Sequence, residues 1–557
     1  MKIIKYCKKC VYPISTVNLN IDEEGVCSAC RTAEKFEELS DDFWSQRKDK
    51  FEELIKPYLN NNNSNYDCLI PVSGGKDSFY QAHLMAKEYG LKPLLMTYHG
   101  NNYLPEGDHN RDLMRHAFDA DHIVWGPSVD TLKKLNKITF KMMGDMNWQN
   151  HCGIMTAPIQ IATKFNIPLI IWGETNWDIS GMYSPDDFVE FSARVRHEHD
   201  LRGYEWYDML KHGLREKDMM WAKYPSDEEI LEVGVRGLYI GNFFKWDPHK
   251  QTKIIMENYD WKPSEKPFER TYRRFSNLDD RYENGIHDLL KFVKFGYGRA
   301  SDHASKDIRA GCMTREEGVK MVRKYDSVVS SDLYFWLDYV GMKESEFWSI
   351  ADTFRDPRVW WIEDGKWWKN NVWGGASSYG DVHLDDSKIE NFNKNSQEIN
   401  NRLFEVYSEI GENEKALMIW PNLNKADKSK AVNLNSYFLI QKELKDTTIC
   451  DSVSMALLEI NPENVEALEW NAKKYYWLGE NRYQREMSVY DKKKTNRQYK
   501  ILLNELDLVT ADFKKSLPYF DKLWKIEPGK KYASYFANIY ARFGDGKKAD
   551  YYKKMLK

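Results

Sequence analysis

The first 185 residues alternate short apolar runs with amphipathic stretches. The apolar runs predict four buried strands, at 66–72, 93–98, 122–125 and 167–172. The stretches before and between them predict helices at 40–60, 79–88, 108–118 and 156–165. Strands that alternate with helices are typical of a parallel sheet with helices on both faces. The predicted fold class is therefore α/β.

The pattern changes three times along the chain, which predicts four regions. Residues 1–40 form a cysteine-bearing head with few apolar positions, and 41–185 hold the α/β pattern. Residues 186–375 are aromatic and mostly helical, and are expected to complete a substrate site. A Gly- and Ser-rich stretch at 374–390 has the composition of a linker, and 390–557 have the pattern of long helices rich in Lys, Glu and Asn.

The C-terminal region contains a weak internal repeat. INPENVEA at 460–467 leads to Leu478-Gly-Glu480, and Ile526-Glu-Pro-Gly529 leads in the same way to Phe543-Gly-Asp545. The prolines of the two copies are separated by about two 34-residue units. The region therefore resembles an all-α array of tetratricopeptide (TPR) repeats, with a generic helical bundle as the alternative.

Composition excludes several classes of protein. Charged residues make up 30% of the chain and nearly cancel, leaving a formal net charge of −4. A chain with this charge balance exerts no general attraction on nucleic acid or on an anionic membrane. The balance therefore disfavours a nucleic-acid partner. No apolar run approaches the roughly 20 residues of a membrane span, and no signal peptide is evident. We expect a cytoplasmic protein.

Ser73-Gly-Gly-Lys-Asp-Ser78 follows the first predicted strand and opens a predicted helix. The glycine pair lets the backbone turn tightly and approach a ligand, and the start of the helix favours an anion. Lys76 adds a cation, and Ser73 and Ser78 add hydroxyl donors. An ordinary glycine turn at a helix start is the alternative. The spacing is not that of the Walker loop, GxxxxGK[ST].

The hexapeptide SGGKDS resembles the signature of the PP-loop ATP pyrophosphatases, whose fold is adenine-nucleotide alpha-hydrolase-like. That resemblance implies that Ser73, Gly74, Gly75, Lys76, Asp77 and Ser78 bind the β,γ-pyrophosphate of ATP. It also implies cleavage between the α and β phosphates, with Asp77 helping to hold Mg²⁺.

Ligands of open α/β sheets lie beyond the carboxyl ends of the strands. Thr97 and Tyr98 end the second strand, and we expect them to border the adenosine. Asn101 and Asn102 follow as candidate substrate-binding residues. Gly173 and Glu174 follow the fourth strand, with Glu174 a candidate ligand for metal or for a substrate amine. Polar strand caps are the alternative for all of them.

The head contains Cys7, Cys10, Cys27 and Cys30 as two CxxC pairs. This spacing predicts one tetrahedral Zn²⁺ held by four thiolates in a zinc-ribbon-like head. Four protein ligands leave no open position, so the site would be structural. A redox disulfide pair is the alternative.

Several motifs then occur in one order along the first 370 residues. They are the cysteine head, VSGGKDS at 72–78, IPLIIWGE at 167–174, DFVEF at 187–191, YRRFSNLDD at 272–280 and FGYGRASDHASKDIR at 295–309. Together they resemble the N-acetyl sugar amidotransferases of bacterial surface glycan pathways. Those pathways include pseudaminic and legionaminic acid modification and lipopolysaccharide O-antigen synthesis. The TPR-like tail departs from the usual length of this family and suggests docking of a partner or self-association.

The resemblance implies that AMP is transferred from ATP to the acetamido oxygen of an N-acetyl sugar, which is expected to be nucleotide-linked. Ammonia then displaces AMP to leave an acetamidino group. Because no glutaminase signature is present, a separate glutaminase subunit is expected to supply the ammonia. A glutaminase function of Cys152 beside His151 is the alternative.

The segment 299–309 concentrates ionisable residues. Lys76, Asp77, Glu174, His303 and Lys306 are the candidate catalytic residues, with His303 as acid or base. Arg299, Asp302 and Arg309 are candidate substrate-binding residues. A polar helix surface would have the same composition.

Two other functions stay open. Some PP-loop tRNA thiolases also carry a CxxC zinc head, although the acidic balance of this chain disfavours tRNA. An interaction scaffold built on the TPR-like array, with an inactive nucleotide fold, is the second.

Overall fold

The computed structural model describes residues 4–59, 64–100, 102–173 and 188–556. It divides into two compact units, Met1–Asn393 and Lys394–Lys557. The unit boundary falls within one helix, Asp386–Glu409.

A five-stranded sheet organises the first unit. Its strands are β1 (Cys68–Pro71), β2 (Pro93–Tyr98), β3 (Asp121–Trp125), β4 (Leu169–Trp172) and β5 (Arg236–Tyr239). Their order is β3-β2-β1-β4-β5, and all neighbours are parallel. The predicted parallel α/β sheet is confirmed, and its four predicted strands lie within a few residues of the observed ones. The fifth strand was not predicted because Arg236-Gly-Leu-Tyr is too short and polar to stand out.

Helices connect and cover these strands. They are α1 (Ser28–Glu37), α2 (Asp41–Ile55), α3 (Lys76–His83), α4 (Pro105–Phe118), α5 (Val129–Met143), α6 (Trp148–Lys164), α7 (Asp227–Val233) and α8 (Pro248–Asn258). Five more follow: α9 (Glu283–Phe295), α10 (Arg299–Arg309), α11 (Arg315–Tyr325), α12 (Asp332–Val340) and α13 (Glu344–Ala351). Shorter helical segments lie at Leu84–Glu88, Ala193–Val195, Arg196–Asp200, Trp206–Leu210, Glu216–Ala222, Ile240–Asn242 and Asp352–Phe354.

The two faces of the sheet carry separate apolar layers. Ile70 of β1 points to a core with Phe79 of α3, while its neighbour Leu69 points to a core with Ala157 and Ile161 of α6. This alternation follows from the two-residue period of a strand. Each such buried side chain contributes about 1.5–3 kcal/mol by leaving water. The sheet therefore holds the carboxyl ends of its strands at one fixed edge.

A second, antiparallel sheet lies at the end of the first unit. It consists of β6 (Trp361–Glu363), β7 (Lys366–Asn370) and β8 (Ala376–Asp381) in that order. The prediction of a linker over 374–390 was therefore wrong for 376–381, which form β8, and for 386–390, which begin the helix Asp386–Glu409. Gly374 and Gly375 provide the turn between β7 and β8, both with positive φ, and the strand that follows pairs with β7.

The second unit is all-α over its described residues. Its helices are α14 (Asp386–Glu409, which begins in the first unit), α15 (Asn413–Ile419), α16 (Ala431–Glu443), α17 (Thr447–Ile460), α18 (Val465–Lys492), α19 (Asn496–Ile526), α20 (Lys530–Arg542) and α21 (Gly546–Lys554). Shorter segments lie at Trp420–Asn422 and Lys425–Lys428. In the core of this unit, Phe513 and Phe520 of α19 pack with Tyr532 and Phe536 of α20.

The predicted repeat differs from this arrangement at one position. Gly544 lies in a turn with φ +75°, as the repeat requires. Gly479 instead lies inside the 28-residue α18, where its backbone packs against Asp512 and Phe513 of the 31-residue α19. These helices are about twice as long as those of a 34-residue helix–turn–helix repeat. The TPR array stays a prediction.

Across the described residues, every helix is too short or too polar to cross a membrane.

Candidate active site

The glycine-rich loop lies between β1 and α3, as its pattern predicts. Gly74 has φ +82°, and a Cβ atom there would lie 2.6 Å from the backbone nitrogen of Arg111. The indole of Trp261 donates to the Gly74 carbonyl at 2.9 Å. Glycine is therefore required at 74 by both backbone conformation and space.

Hydroxyl groups brace the loop from both ends. The Ser78 Oγ accepts from the Ser73 N–H at 3.2 Å and donates to the Gly75 carbonyl at 3.1 Å. The Ser73 Oγ accepts from the Gly75 N–H at 3.3 Å. Helix α3 begins at Lys76, so its positive end faces the cavity that this loop lines, an arrangement that favours an anion.

That cavity has a volume of about 520 Å³ and brings distant parts of the sequence together. Its basic lining residues are Lys76, Lys245, His249, Arg273, Lys291, Arg299, His303, Lys306 and Arg309. Helix α10 supplies four of them from one face. This first cavity therefore combines the phosphate-type loop with a concentration of positive charge, which suits a polyphosphate.

Lys76 is one of the buried cations in this lining. Its side chain is buried and forms an ion pair with Asp77 at the start of α3. Both residues line the first cavity. The ammonium group of Lys76 and the carboxylate of Asp77 therefore lie side by side in the cavity, where a phosphate and its metal counter-ion could bind next to each other.

Two carboxylates hold the surrounding cations in place. Asp302 accepts from Lys291 at 2.5 Å and from the Tyr12 hydroxyl at 3.0 Å. Burial opposes ionisation, but the charges of Lys291 and Arg299 keep the pKa of Asp302 below its usual range. Asp302 is therefore an anchor for basic groups within the cavity wall.

Asp307, further along α10, is the second of these carboxylates. It accepts from Arg273, from the Tyr272 hydroxyl and, at 2.9 Å, from His249. Burial again opposes ionisation, and the Arg273 charge keeps the pKa of Asp307 below its usual range.

His303 lies in the middle of this charged wall. Its Nδ1 is 2.6 Å from the Thr271 hydroxyl, and 7% of the residue is exposed. Burial and the nearby charges of Arg273 and Arg299 lower its pKa well below the usual range. The lowered pKa favours the neutral form of the imidazole.

A second cavity, of about 250 Å³, lies at the carboxyl ends of β1, β2 and β4. Tyr98, Asn102 and Trp172 line it, and Ser73 and Asp279 line both cavities. The phosphate-type loop therefore stands between two differently built spaces.

Three of the predicted ATP- and substrate-site residues that the structure describes line neither cavity: Gly74, Thr97 and Gly173. Thr97 is fully buried, with its hydroxyl 2.6 Å from the Val72 carbonyl and 2.8 Å from His122 Nε2. It braces the sheet and lines neither cavity, so its position does not support contact with adenosine. Gly173 follows β4 but also lines neither cavity. Asn101 and Glu174 lie outside the described residues.

The four head cysteines converge as predicted. Their sulfur atoms lie within 4.8 Å of one another, with Cys10 and Cys27 at 3.6 Å and Cys7 and Cys30 at 3.9 Å. All four are buried. A set of this kind suits a zinc ion or an iron–sulfur group.

The head also forms part of the first cavity. Tyr12, Ala33 and Phe36 line it. The guanidinium of Arg315 donates to the carbonyls of Cys7 and Cys10 at 3.1–3.4 Å, which ties the head to α11. Loss of the head would therefore open one wall of the cavity.

Fold and site define the chain as an α/β protein with a glycine-rich, phosphate-type loop at the carboxyl edge of a parallel sheet. Residues 269–372 match a family model described as "LPS biosynthesis protein WbpG-like, C-terminal domain". The predicted resemblance to the lipopolysaccharide-pathway family is confirmed by this match. The matched segment includes α9 and α10, which supply much of the first cavity.

Two solved structures show distant likeness. NMN synthetase from Francisella tularensis is 12% identical over 40% of this chain and 98% of its own, with a TM-score of 0.21. The U34-tRNA thiolase NcsA from Methanococcus maripaludis, solved with its 4Fe–4S cluster, is 14% identical over 56% of this chain and 86% of its own, with a TM-score of 0.23. No curated protein matches the sequence.

Tyr12, Arg273 and Lys291 are among the residues of the first cavity that were absent from the predicted set. Arg273 lies in the YRRFSNLDD motif and was recognisable as a basic cluster. Tyr12 and Lys291 are single residues in unremarkable surroundings, and only their approach to Asp302 reveals them. Glu283 is a surface-type residue in the sequence, yet it is fully buried.

Proposed function

We propose that the protein is an ATP-dependent amidotransferase that converts the acetamido group of an N-acetyl sugar to an acetamidino group. The sugar is most simply a nucleotide-linked precursor of a bacterial surface glycan. AMP and pyrophosphate are the other products. The family match to lipopolysaccharide biosynthesis supports the pathway, and the PP-loop supports the use of ATP.

One observation carries the proposal. The PP-loop and the basic residues of the matched segment line the same cavity, although almost 200 residues of chain separate Asp77 from Arg273. An enzyme that splits ATP next to a second, phosphorylated substrate needs a loop for the pyrophosphate and further cations for the developing charge.

The chemistry follows from the weakness of an amide as an electrophile. Transfer of AMP to the acetamido oxygen forms a C–O–P link and releases pyrophosphate. The carbon then becomes open to attack by ammonia, and the electrons of the C–O bond leave with AMP. Lys76 and the α3 amides would stabilise the pyrophosphate, and Arg299, Lys306 and Arg309 would bind substrate phosphates.

We further propose two metals. Mg²⁺ would be held by Asp77 together with the phosphates of ATP. Structural Zn²⁺ would be held by Cys7, Cys10, Cys27 and Cys30, because tetrahedral zinc with bonds of about 2.3 Å places sulfur atoms roughly 3.8 Å apart. Ammonia would come from a glutaminase partner, and the helical second unit would bind a partner protein or another copy of the chain.

The test uses purified protein with Mg-ATP, ammonium chloride and a panel of nucleotide-linked N-acetyl sugars, analysed by mass spectrometry. Replacement of O by NH lowers the sugar mass by about 1 Da and should accompany AMP one for one. Lys76→Ala and Asp77→Ala should abolish pyrophosphate release while circular dichroism stays unchanged, and retained turnover would remove the loop from the mechanism. AMP formed only with tRNA would favour a thiolase, and ATP binding without AMP would favour a scaffold.

A further inference from the structure

The first cavity is lined by aromatic rings as well as by charge. Phe36 of α1, Trp44 of α2 and Trp246, which lies between β5 and α8, are each partly buried and form part of its wall. We call these three side chains the aromatic rim. The rings of Phe36 and Trp44 stack, with centroids 6.2 Å apart and planes at 20°. Flat apolar surface is therefore present in a cavity that is otherwise rich in basic groups.

The aromatic rim lies next to the glycine-rich loop. Trp246 packs edge-on against Tyr80 of α3, with 5.9 Å between the ring centroids, and Tyr80 is about one turn from the start of that helix. Lys245 forms an ion pair with Glu37 at 3.5 Å, and each of the two is the chain neighbour of a rim residue. The pair shows that the Phe36 side and the Trp246 side of the rim are neighbours in space.

The indole N–H of Trp44 is a second, independent feature. Its Nε1 is buried and has no hydrogen-bond partner within the described ranges. Buried donors are rarely left unpaired in native proteins, so this group calls for an acceptor. Oxygen and nitrogen atoms at the edge of a nucleobase are acceptors of this kind, and aromatic rings are the surfaces on which the faces of bases stack.

Cations accompany the aromatic rim. Lys245 is adjacent to it in the chain, and the guanidinium of Arg309 lies 5.7 Å from the ring centroid of Tyr12. Lys306 lies about one turn before Arg309 on α10, and all three cations line the first cavity. A nucleotide consists of a flat base and negatively charged phosphates, so its binding site needs aromatic surface and positive charge together.

The base of ATP is expected elsewhere. The PP-loop resemblance implies that the adenosine borders Tyr98, and Tyr98 lines the second cavity rather than the first. A pyrophosphate at the glycine-rich loop has no apolar part for aromatic rings to contact. The aromatic rim is therefore available for the base of another nucleotide.

We propose that the aromatic rim binds the nucleobase of a nucleoside diphosphate sugar, with Lys245, Lys306 and Arg309 on its diphosphate. Trp246 and the Phe36 ring flank the base, and the edge of the base accepts from the Trp44 N–H. This inference rests on the proposed function, in which the acceptor is an N-acetyl sugar, and it names the carrier of that sugar as a nucleoside diphosphate.

Isothermal titration calorimetry tests this subsite without turnover. The probes are UDP, CDP, GDP and dTDP, with pyrophosphate as a ligand that has no base and Mg-ATP as a second nucleotide. Because stacking of a base on an aromatic ring is worth roughly five- to a hundredfold in affinity, Trp44→Leu and Trp246→Leu should each weaken the tightest of the four diphosphates by that factor. Binding of pyrophosphate and of Mg-ATP should stay within about twofold of wild type, since their contacts lie elsewhere.

Trp477→Leu is the matched control, because Trp477 lies in the second unit and is 49% exposed. It removes the same indole group and should leave every probe at its wild-type affinity. Trp44→Phe keeps a ring but loses the N–H, and it should recover part of the affinity that Trp44→Leu loses. Circular dichroism checks that each variant folds. If Trp44→Leu does not fold, Trp246→Leu decides.

Several results would overturn the proposal. A wild type that binds none of the four nucleoside diphosphates would refute it, as would equal affinities in the wild type and both leucine variants. Equal weakening of pyrophosphate would show that the rings support only a phosphate site. Weakening of Mg-ATP would place the base of ATP at the rim.

Failure of the proposed function gives a different result. A protein that forms no acetamidino sugar, yet binds a nucleoside diphosphate through Trp44, refutes the function and keeps the subsite. Product formed with an unchanged KM for the nucleotide sugar in Trp44→Leu and Trp246→Leu keeps the function and refutes the subsite.

Discussion

Replacement of Gly74 by alanine should destroy the phosphate site. A left-handed alanine costs roughly 1–2 kcal/mol. The new Cβ would also lie 2.6 Å from the backbone nitrogen of Arg111, within helix α4. Overpacking against a rigid element costs roughly a further 1–3 kcal/mol. Because the backbone of Arg111 cannot rotate away as a side chain would, the loop that contains residue 74 must move.

The two costs together come to about 2–5 kcal/mol. At 1.36 kcal/mol per factor of ten, this corresponds to a loss of affinity of roughly 30-fold to several thousandfold. Isothermal titration calorimetry with Mg-ATP and with pyrophosphate measures it without any assumption about the acceptor.

Gly90→Ala is the matched control. Gly90 also has positive φ, +68°, but apart from its chain neighbours no atom of the described residues lies within 4 Å of the position of its Cβ. It should lose stability by the conformational cost alone and bind both ligands as the wild type does. If Gly74→Ala binds as tightly as Gly90→Ala, the loop does not depend on this contact and the reasoning is wrong.

Three further outcomes are expected. Tyr12→Phe leaves one oxygen of buried Asp302 without its donor, so chemical denaturation should show a loss of about 1–3 kcal/mol, and an unchanged midpoint would contradict the contact. The pKa of His303 in the folded protein lies below its ordinary 6.5. The unfolded chain therefore binds more protons, and the free energy of unfolding should fall as pH drops below about 6.5. His303→Asn should flatten that part of the stability–pH curve, and a slope identical to that of the wild type would count against a neutral imidazole. Phe520→Ala empties part of the helical core and should lower stability by about 3–5 kcal/mol, measured by circular dichroism melts, whereas a loss below about 1 kcal/mol would show that the core collapses around the gap.

The local sequence pattern was sufficient to predict those features that depend only on residues close together in the chain. A buried strand, two glycines and a helix start in succession predict an anion loop, because the turn, the free amides and the dipole arise within a dozen residues. Two CxxC pairs likewise predict converging thiolates, and the four sulfurs do converge. The helical character of the C-terminal region was predictable from its periodicity for the same reason.

Tertiary structure alone decided which residues face the site. Thr97 and Tyr98 are adjacent, yet Thr97 is bonded inside the sheet and Tyr98 lines the second cavity, because successive strand residues point to opposite faces. Glu283 has the sequence character of an exposed helix start. Four carboxamides from separate parts of the chain make its burial tolerable, and their convergence depends on contacts between residues up to 181 positions apart, which no local pattern records.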